Sequence, residues 1–310
     1  MSTLATATTS PAIAPRWPRP LIVDASLGVH ACAGAAALML PGAEMWSLGA
    51  VALNHLVLTG AGLIPGSALL GPNLRRLPPA GQAHQAAAHA LHHGPIHPPP
   101  ANPQLPGVAA PLRVALTFDD GPDPDVTPQV LDQLEAAGAR ATFFCIAERA
   151  RQHPTLVREI VARGHSVQNH SVSHRHHFSL LGPRGFEREI GAAQSLLADL
   201  TGVMPHCFRA PAGVRNPLLD PVLHRLDLHL VSWTRRGFDT VDAHAPRVLG
   251  RLARGLAARD ILLLHDGHAR RLPDGRAVVL EVLPRLLSQL HEMGLATTTL
   301  AEAVPRRHAG

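Results

Sequence analysis

From Leu112 onward the chain alternates between two textures, and this alternation limits its fold more than any other feature. Strand-like runs at RVALTF, ATFFCI, HSVQ, LHLVSW, DILLLH and LATTTL are separated by helical stretches such as TPQVLDQLEAAG and HPTLVREIVARG. Strands that alternate with helices of that length predict an α/β fold, with a parallel sheet inside and helices outside. The first helical stretch has Thr127 as its expected N-cap, Pro128 at its first helical position and Gly138 just past its end. In such folds catalytic groups gather at the C-terminal ends of strands. Asp119, Asp120 and His265 fall at such ends.

The stretch VALTFDDGP, residues 114–122, is a buried-looking strand that ends in two adjacent carboxylates. Acids that close repel each other, and partial burial makes each harder to ionise, so positive charge is expected beside them. Neighbouring residues of an extended strand point to opposite sides, a rule that a turn at its end relaxes. Asp119 and Asp120 are therefore free to do different jobs. In NHSVSH, residues 169–174, His170 and His174 are four apart and would share a face if the segment formed a helical turn. Two imidazoles at that spacing with one carboxylate form a frequent catalytic zinc arrangement that leaves a fourth position for water. The chain holds 21 histidines, so the pair gains its meaning from the acids that accompany it. His176 and His177 read as surface residues.

Composition removes several classes of function. The formal charge is +5, and all 28 basic residues are arginine. Schiff-base catalysis and a P-loop phosphate site both need lysine and are excluded. The arginines are scattered rather than gathered into a stripe, which argues against nucleic-acid binding. Cys32, Cys145 and Cys207 have no metal-site spacing and, being odd in number, give no disulfide framework. Cys145, inside ATFFCI, reads as a small apolar core residue.

Ahead of the α/β region lie a polar segment, 1–20, a pair of apolar runs within 21–70, and a Pro-, Ala- and His-rich linker over 71–111. The runs LIVDASLGVHACAGAAALML and MWSLGAVALNHLVLTGAGLI each have about the 20 residues a membrane helix needs. Neither shows a charged amphipathic face, so a membrane hairpin is expected, with a buried hairpin of a soluble domain as the alternative. A cleaved signal peptide fits worse, because the n-region is long and no small-residue site closes a single apolar core. Arg16 and Arg19 precede the pair and Arg75 and Arg76 follow it. Two spans would leave both ends and the following domain in the cytoplasm, whereas a single span would place the domain outside. His84, His89, His92, His93 and His97 in the linker lack partner carboxylates, so the linker reads as a solvated tether.

Taken in order, TFDDGP, HSVSH, RAP and LLLHDG resemble the motifs of the polysaccharide deacetylases, the family 4 carbohydrate esterases with the NodB-homology domain. The resemblance covers residues 112–302, with 303–310 as a tail, and implies a distorted (β/α) barrel. It implies that Asp120, His170 and His174 hold a divalent metal, with zinc expected and cobalt, iron or nickel suited to the same ligands. It implies Asp119 as general base, Arg209 as the cation that orients it, and His265 as general acid. The Ala212 backbone N–H would face the oxyanion and Leu263 would wall a small acyl pocket. The implied reaction is removal of an N-acyl group, most often N-acetyl, from an amino sugar. No protein partner can be inferred.

The chain departs from the family pattern at two motifs. Ala212 stands where an aromatic follows the proline of the third motif. RRGFDT replaces two aspartates followed by Trp: Arg236 takes the place of the first acid, Asp239 matches the second and Thr240 replaces the Trp. Asp239 could hold the second nitrogen of His265 or act as a structural cap. With no Tyr, and Trp233 the one Trp of the domain, stacking platforms for a long polymer are scarce. That favours a shorter or lipid-linked amino sugar, deacetylated or deformylated. A catalytically silent carbohydrate-binding relative is the rival from another class, although none of the six motif residues is missing.

Overall fold

The structure is a computed structural model that describes residues 17–79 and 112–307. The linker histidines from His84 to His97 lie outside the described residues.

Strand β1 (Arg113–Asp119) lies at the centre of the sheet and is buried from Val114 onward. Its neighbours β2 (Ala141–Cys145) and β7 (Ile261–His265) are buried throughout, as their continuous apolar character requires for strands covered on both faces. With β3 (Ser166–Asn169), β4 (Cys207–Phe208), β5 (His229–Leu230) and β6 (Arg235–Arg236), they run in the order β5-β4-β3-β2-β1-β7-β6, and β8 (Ala296–Thr297) pairs with β1. All of these pairings are parallel. β5 and β6 are the two edges and do not pair with each other, so the sheet curls into a half-barrel. The expected distorted barrel is present in that form.

The hairpin helices α1 (Leu21–Met39) and α2 (Glu44–Leu63) precede the sheet. Around it lie α3 (Thr127–Ala136), α4 (Ala147–Gln152), α5 (Pro154–Ala162), α6 (Pro183–Thr201), α7 (Leu219–Arg225), α8 (Ala245–Ala253), α9 (Val278–Glu292) and α10 (Leu300–Ala303). α9 buries Val279, Leu283, Leu286 and Leu290, a helical stripe, in the cluster that holds Leu116, Phe118, Leu262 and Leu264. Strand side chains alternate. Since those even-numbered residues face the helices, Thr117 and Asp119 of β1 and Leu263 and His265 of β7 face the inside of the curl, where the site lies.

Thr127 was expected to cap α3 but is its first residue, preceded by Val126 at the cap. Its hydroxyl is used in tertiary contacts instead, accepting from Asp123 N at 2.8 Å and donating to Asp266 Oδ2 at 2.6 Å. Cys145 and Cys207 are buried, Cys32 is exposed, and all three are free thiols.

Both α1 and α2 are long and apolar enough to cross a membrane. Their polar interruptions meet between them: Asn54 Nδ2 donates to Ser26 Oγ at 2.9 Å, and His30 Nε2 lies 3.3 Å from His55 Nε2. The end of α2 rests on the domain, where Arg215 N donates to Gly62 O at 3.0 Å. A Cβ at Gly62 would collide with the Arg215 carbonyl, so only glycine permits this approach. Residues 71–79, expected as the start of the linker, instead lie along the open seam of the sheet. Leu74 N donates to Leu230 O and Ser232 N to Leu74 O, both at 2.9 Å, and Leu77 N donates to Arg259 O at 2.8 Å. The unpaired edge at β5 leaves backbone groups that need partners; Leu77 is buried in a cluster with Val231 and Ile261, and Leu70, just before the segment, is fully buried.

Candidate active site

Asp119 ends β1 inside the curl, and Asp120 follows it with a left-handed backbone, φ 72°. That turn sends the second carboxylate out of strand register and lets both acids approach the same opening. Asp120 Oδ1 lies 3.3 Å from His170 Nε2 and 3.3 Å from His174 Nε2. One donor atom from each of the three residues falls within 4.8 Å of the others. The histidines are not brought together by a helical turn. They sit on a loop after β3 in which Ser171 and His174 both have positive φ, 65° and 49°. Asn169 Oδ1 accepts from Ser171 N at 2.9 Å and Ser171 Oγ accepts from His174 N at 3.1 Å, which fixes the loop.

These three groups fit a divalent cation. Asp120 Oδ1 is buried and has no hydrogen-bond partner, a state that costs free energy unless a cation takes the lone pairs. His170 Nδ1 lies 2.8 Å from the Arg209 carbonyl; since a carbonyl only accepts, Nδ1 carries the proton and Nε2 keeps its lone pair. Burial next to His170 brings His174 down to about 4, so its imidazole is neutral and able to ligate. Burial opposes charging of His170, but Asp119 and Asp120 outweigh it and hold this imidazole above its ordinary value. The site therefore favours positive charge. Burial likewise opposes ionisation of Asp120, and the adjoining imidazoles of His170 and His268 outweigh it, holding the carboxyl well below the usual range.

Two further pairs face the same opening. Arg209, almost wholly buried, donates from Nη1 to Asp119 Oδ1 at 2.6 Å and to Thr117 Oγ1 at 2.8 Å. Across β1 and β7, Asp119 stands directly opposite His265. His265 Nδ1 lies 2.9 Å from Asp239 Oδ1, and His265 N donates to Asp239 Oδ2 at 2.8 Å. Burial opposes charge on His265, but Asp239 outweighs it and holds this imidazole above its ordinary value. Buried acids and bases in coupled pairs at the mouth of one opening are the arrangement expected of acid–base chemistry.

Comparison with known proteins follows from this geometry. The polysaccharide deacetylase profile matches residues 109–231. A peptidoglycan-N-acetylglucosamine deacetylase of Bacillus cereus is 30% identical over 197 residues, covering 63% of this chain and 89% of the relative. The chain belongs to the polysaccharide deacetylase family. A chitooligosaccharide deacetylase of Sinorhizobium fredii is 33% identical over 212 residues, covering 65% of this chain and 94% of the relative. A family 4 carbohydrate esterase from Streptomyces lividans, solved in complex with acetate, matches with a TM-score of 0.56 at 32% identity, covering 63% of this chain and 95% of that one.

The other expected residues of this polysaccharide deacetylase lie on β7, in the turn that follows β4 and just after β5. Leu263 is buried on the inward face of β7, two residues before His265. Ala212 is exposed in the turn Pro211–Gly213 with φ 54°. Trp233 is half-buried, and the guanidinium carbon of Arg209 lies 5.8 Å from the centroid of its ring. His176 and His177 are exposed, as expected.

Three contributors were not singled out in the sequence. Thr117 could have been found by alternation, since it must share the face of Asp119. Asp266, pushed up to about 7 by burial, accepts from Thr127 and packs against Gly121, where a Cβ would strike its carboxylate. His268 lies with Nδ1 3.0 Å from Asp120 Oδ2, and its Nε2 is 2.7 Å from Arg149 Nη2. Arg149 Nη1 also donates to the Asp120 carbonyl at 2.9 Å. In HDGH, the second histidine was the only signal.

Proposed function

We propose that this deacetylase hydrolyses the N-acetyl amide of an amino sugar, with Asp120, His170 and His174 holding zinc or a similar dication. The observation that carries this reading is the convergence of those three donor atoms beside the Asp119–Arg209 and His265–Asp239 pairs. When bound, the dication polarises the amide carbonyl and lowers the pKa of a water molecule towards neutrality. Asp119 takes the proton from the attacking water, held in place by the Arg209 guanidinium. The Ala212 N–H, presented by its turn, donates to the developing oxyanion. His265, its Nδ1 on Asp239, gives the proton at Nε2 to the departing amine. Leu263 closes the space around the acetyl methyl. The relatives named as peptidoglycan and chitooligosaccharide deacetylases support the substrate class.

The apolar lengths of α1 and α2 support a membrane anchor. If both helices cross, the flanking arginines place the domain on the cytoplasmic side; a single crossing would put it outside. Because the anchor ends on the domain beside Gly213 and Trp233, a lipid-carried amino sugar fits the opening as well as a short soluble glycan does.

The test uses the full chain in detergent, stripped of metal and reloaded with zinc or cobalt. Release of acetate and free amine from N-acetylglucosamine oligomers or from a lipid-linked N-acetylglucosamine is followed beside Asp119→Asn. Metal-dependent release that the substitution abolishes is expected. Tight metal binding with no release from any acylated sugar would refute hydrolysis and favour the silent, binding relative.

A further inference from the structure

Sheet register brings one more cation to the face that carries the catalytic pairs. Arg236 of β6 stands opposite Leu263 of β7, which stands opposite Thr117 of β1. Residues opposite one another in paired parallel strands point to the same side, and Thr117 on that side touches Arg209. Arg236 therefore faces the opening. Its neighbour Arg235 points the other way, where Asp260 Oδ2 accepts from its Nε at 3.0 Å. Arg235 is neutralised and Arg236 is not. Among the described residues Arg236 makes no ion pair or hydrogen bond, and its Nε is buried without a partner.

What Arg236 does touch is aromatic. Its guanidinium carbon lies 5.4 Å from the centroid of Trp233 and 4.8 Å from that of Phe238. The Trp233 ring also carries Arg209, so a single indole separates the free cation from the one that holds Asp119. Phe238 is 44% exposed and has a left-handed backbone, φ 61°, an uncommon state for a bulky residue. Arg251, on Phe238 as well, is already bound to Asp242 at 2.9 Å. Arg236 is thus held in place by two rings and left without an acceptor. A guanidinium so fixed is suited to a carboxylate or phosphate, which it can bind through parallel N–H donors.

We propose that Arg236, Trp233 and Phe238 form a subsite for an anionic group, so that the substrate is an acidic N-acylated glycan rather than a neutral one. The proposal rests on the reaction proposed above and names its substrate class. Where the family pattern has an acid at this motif, a cation here reverses the charge offered to the sugar chain. The subsite also adjoins the anchor: a Cβ built on Gly213 would lie 2.6 Å from Trp233 Cη2 and 2.7 Å from Pro65 Cβ, and Pro65 follows α2 by two residues. A diphosphate joining the sugar to a lipid carrier and a carboxylate on a neighbouring sugar offer the same chemistry.

The test compares kcat/KM of the metal-loaded full chain on three probes. These are a neutral N-acetylglucosamine tetramer, a nucleoside-diphosphate-linked N-acetylglucosamine, and an oligomer that contains N-acetylmuramic acid. A charge-assisted contact predicts that one acidic probe exceeds the neutral one by about tenfold or more. Arg236→Gln should bring that ratio close to one, Arg236→Glu should invert it, and Arg236→Lys should restore part of it. Whichever acidic probe leads identifies the source of the anion. A ratio that Arg236→Gln leaves unchanged overturns the subsite even if every probe is deacetylated. Binding of the acidic probes to the metal-free full chain, by calorimetry, separates the two readings. About tenfold weaker binding by Arg236→Gln supports the subsite whether or not turnover occurs, and equal affinities overturn it.

Discussion

Arg209→Met removes the cation on which the arrangement of the two acids depends. The side chain donates to Asp119 Oδ1, to Thr117 Oγ1, to the Val231 carbonyl at 3.3 Å and to the Ser232 carbonyl at 3.1 Å. It also lies over the Phe144 ring at 4.1 Å. Asp119 is 4% exposed, so losing its partner leaves a nearly buried carboxylate uncompensated. Breaking a buried ion pair from one side costs about 3–5 kcal/mol, and each carbonyl left without a donor adds about 1–3 kcal/mol. The expected loss is at least about 5 kcal/mol, comparable to the entire stability of a marginal domain at about 5–15 kcal/mol.

Asp119→Asn with Arg209→Met should be less damaging than the sum of the two, by about 3 kcal/mol, because no lone charge remains. Urea unfolding of the four proteins of this cycle gives the coupling. A loss under about 1 kcal/mol with an additive cycle would refute the view that Arg209 compensates the buried Asp119 carboxylate.

Three other perturbations test separate parts of the site. Asp239→Asn removes the charge that holds His265 above its ordinary value; activity needs the protonated imidazole and is lost as pH rises through its pKa. The alkaline limb of kcat/KM should therefore move to lower pH, and an unmoved limb would show that His265 is not the acid. His268→Ala frees the second oxygen of Asp120 and should weaken metal binding about 10–100-fold in a chelator competition. Its side chain is 53% exposed, so the melting temperature should hardly change, and His268→Asn should recover part of the affinity. A fragment that begins at residue 112 loses the seam contacts of Leu70 and Leu77, worth at most about 3–6 kcal/mol of apolar burial. Its urea midpoint should fall well below that of a fragment beginning at residue 64, and equal midpoints would show that the seam segment adds nothing.

The parts of the fold legible in the sequence are those in which burial spans several residues. β1, β2 and β7 read as strands because both of their faces are covered, and α3 and α5 read as helices because their buried apolar residues recur at helical spacing. LHLVSW and LATTTL, read as strands, contain β5 and β8, whereas β4 and β6 have two residues each and no strand-like run marks them. At the site, Asp119, Asp120 and His265 were legible from their positions at strand ends. His170 and His174 were legible as a pair, though not in how they meet, because the loop depends on Asn169 and on two left-handed residues rather than on helical spacing. His268 is 148 residues from Asp120, and nothing local marks it as a partner. The seam segment was hidden by composition: prolines around Leu70, Leu74 and Leu77 suggest a solvated tether, yet proline suits a chain that fills an edge without continuing the ladder.

The departures from the family pattern bear on one another. Ala212 gives up a ring that would stack on sugar, Thr240 gives up another, and Arg236 puts a fixed cation where an acid is usual. Losing rings lowers the apolar contact available to a neutral polymer. A fixed cation with a buried, unpaired Nε would favour an anionic group over a neutral sugar. Meanwhile contacts of Gly62 and Pro65 tie the end of α2 to the turn beside Trp233. On the subsite proposed above, a site with few rings, one free arginine and an apolar hairpin nearby would discriminate by charge. An uncharged chain would gain nothing from that cation, which is why the neutral tetramer is expected to be the poorest of the three probes.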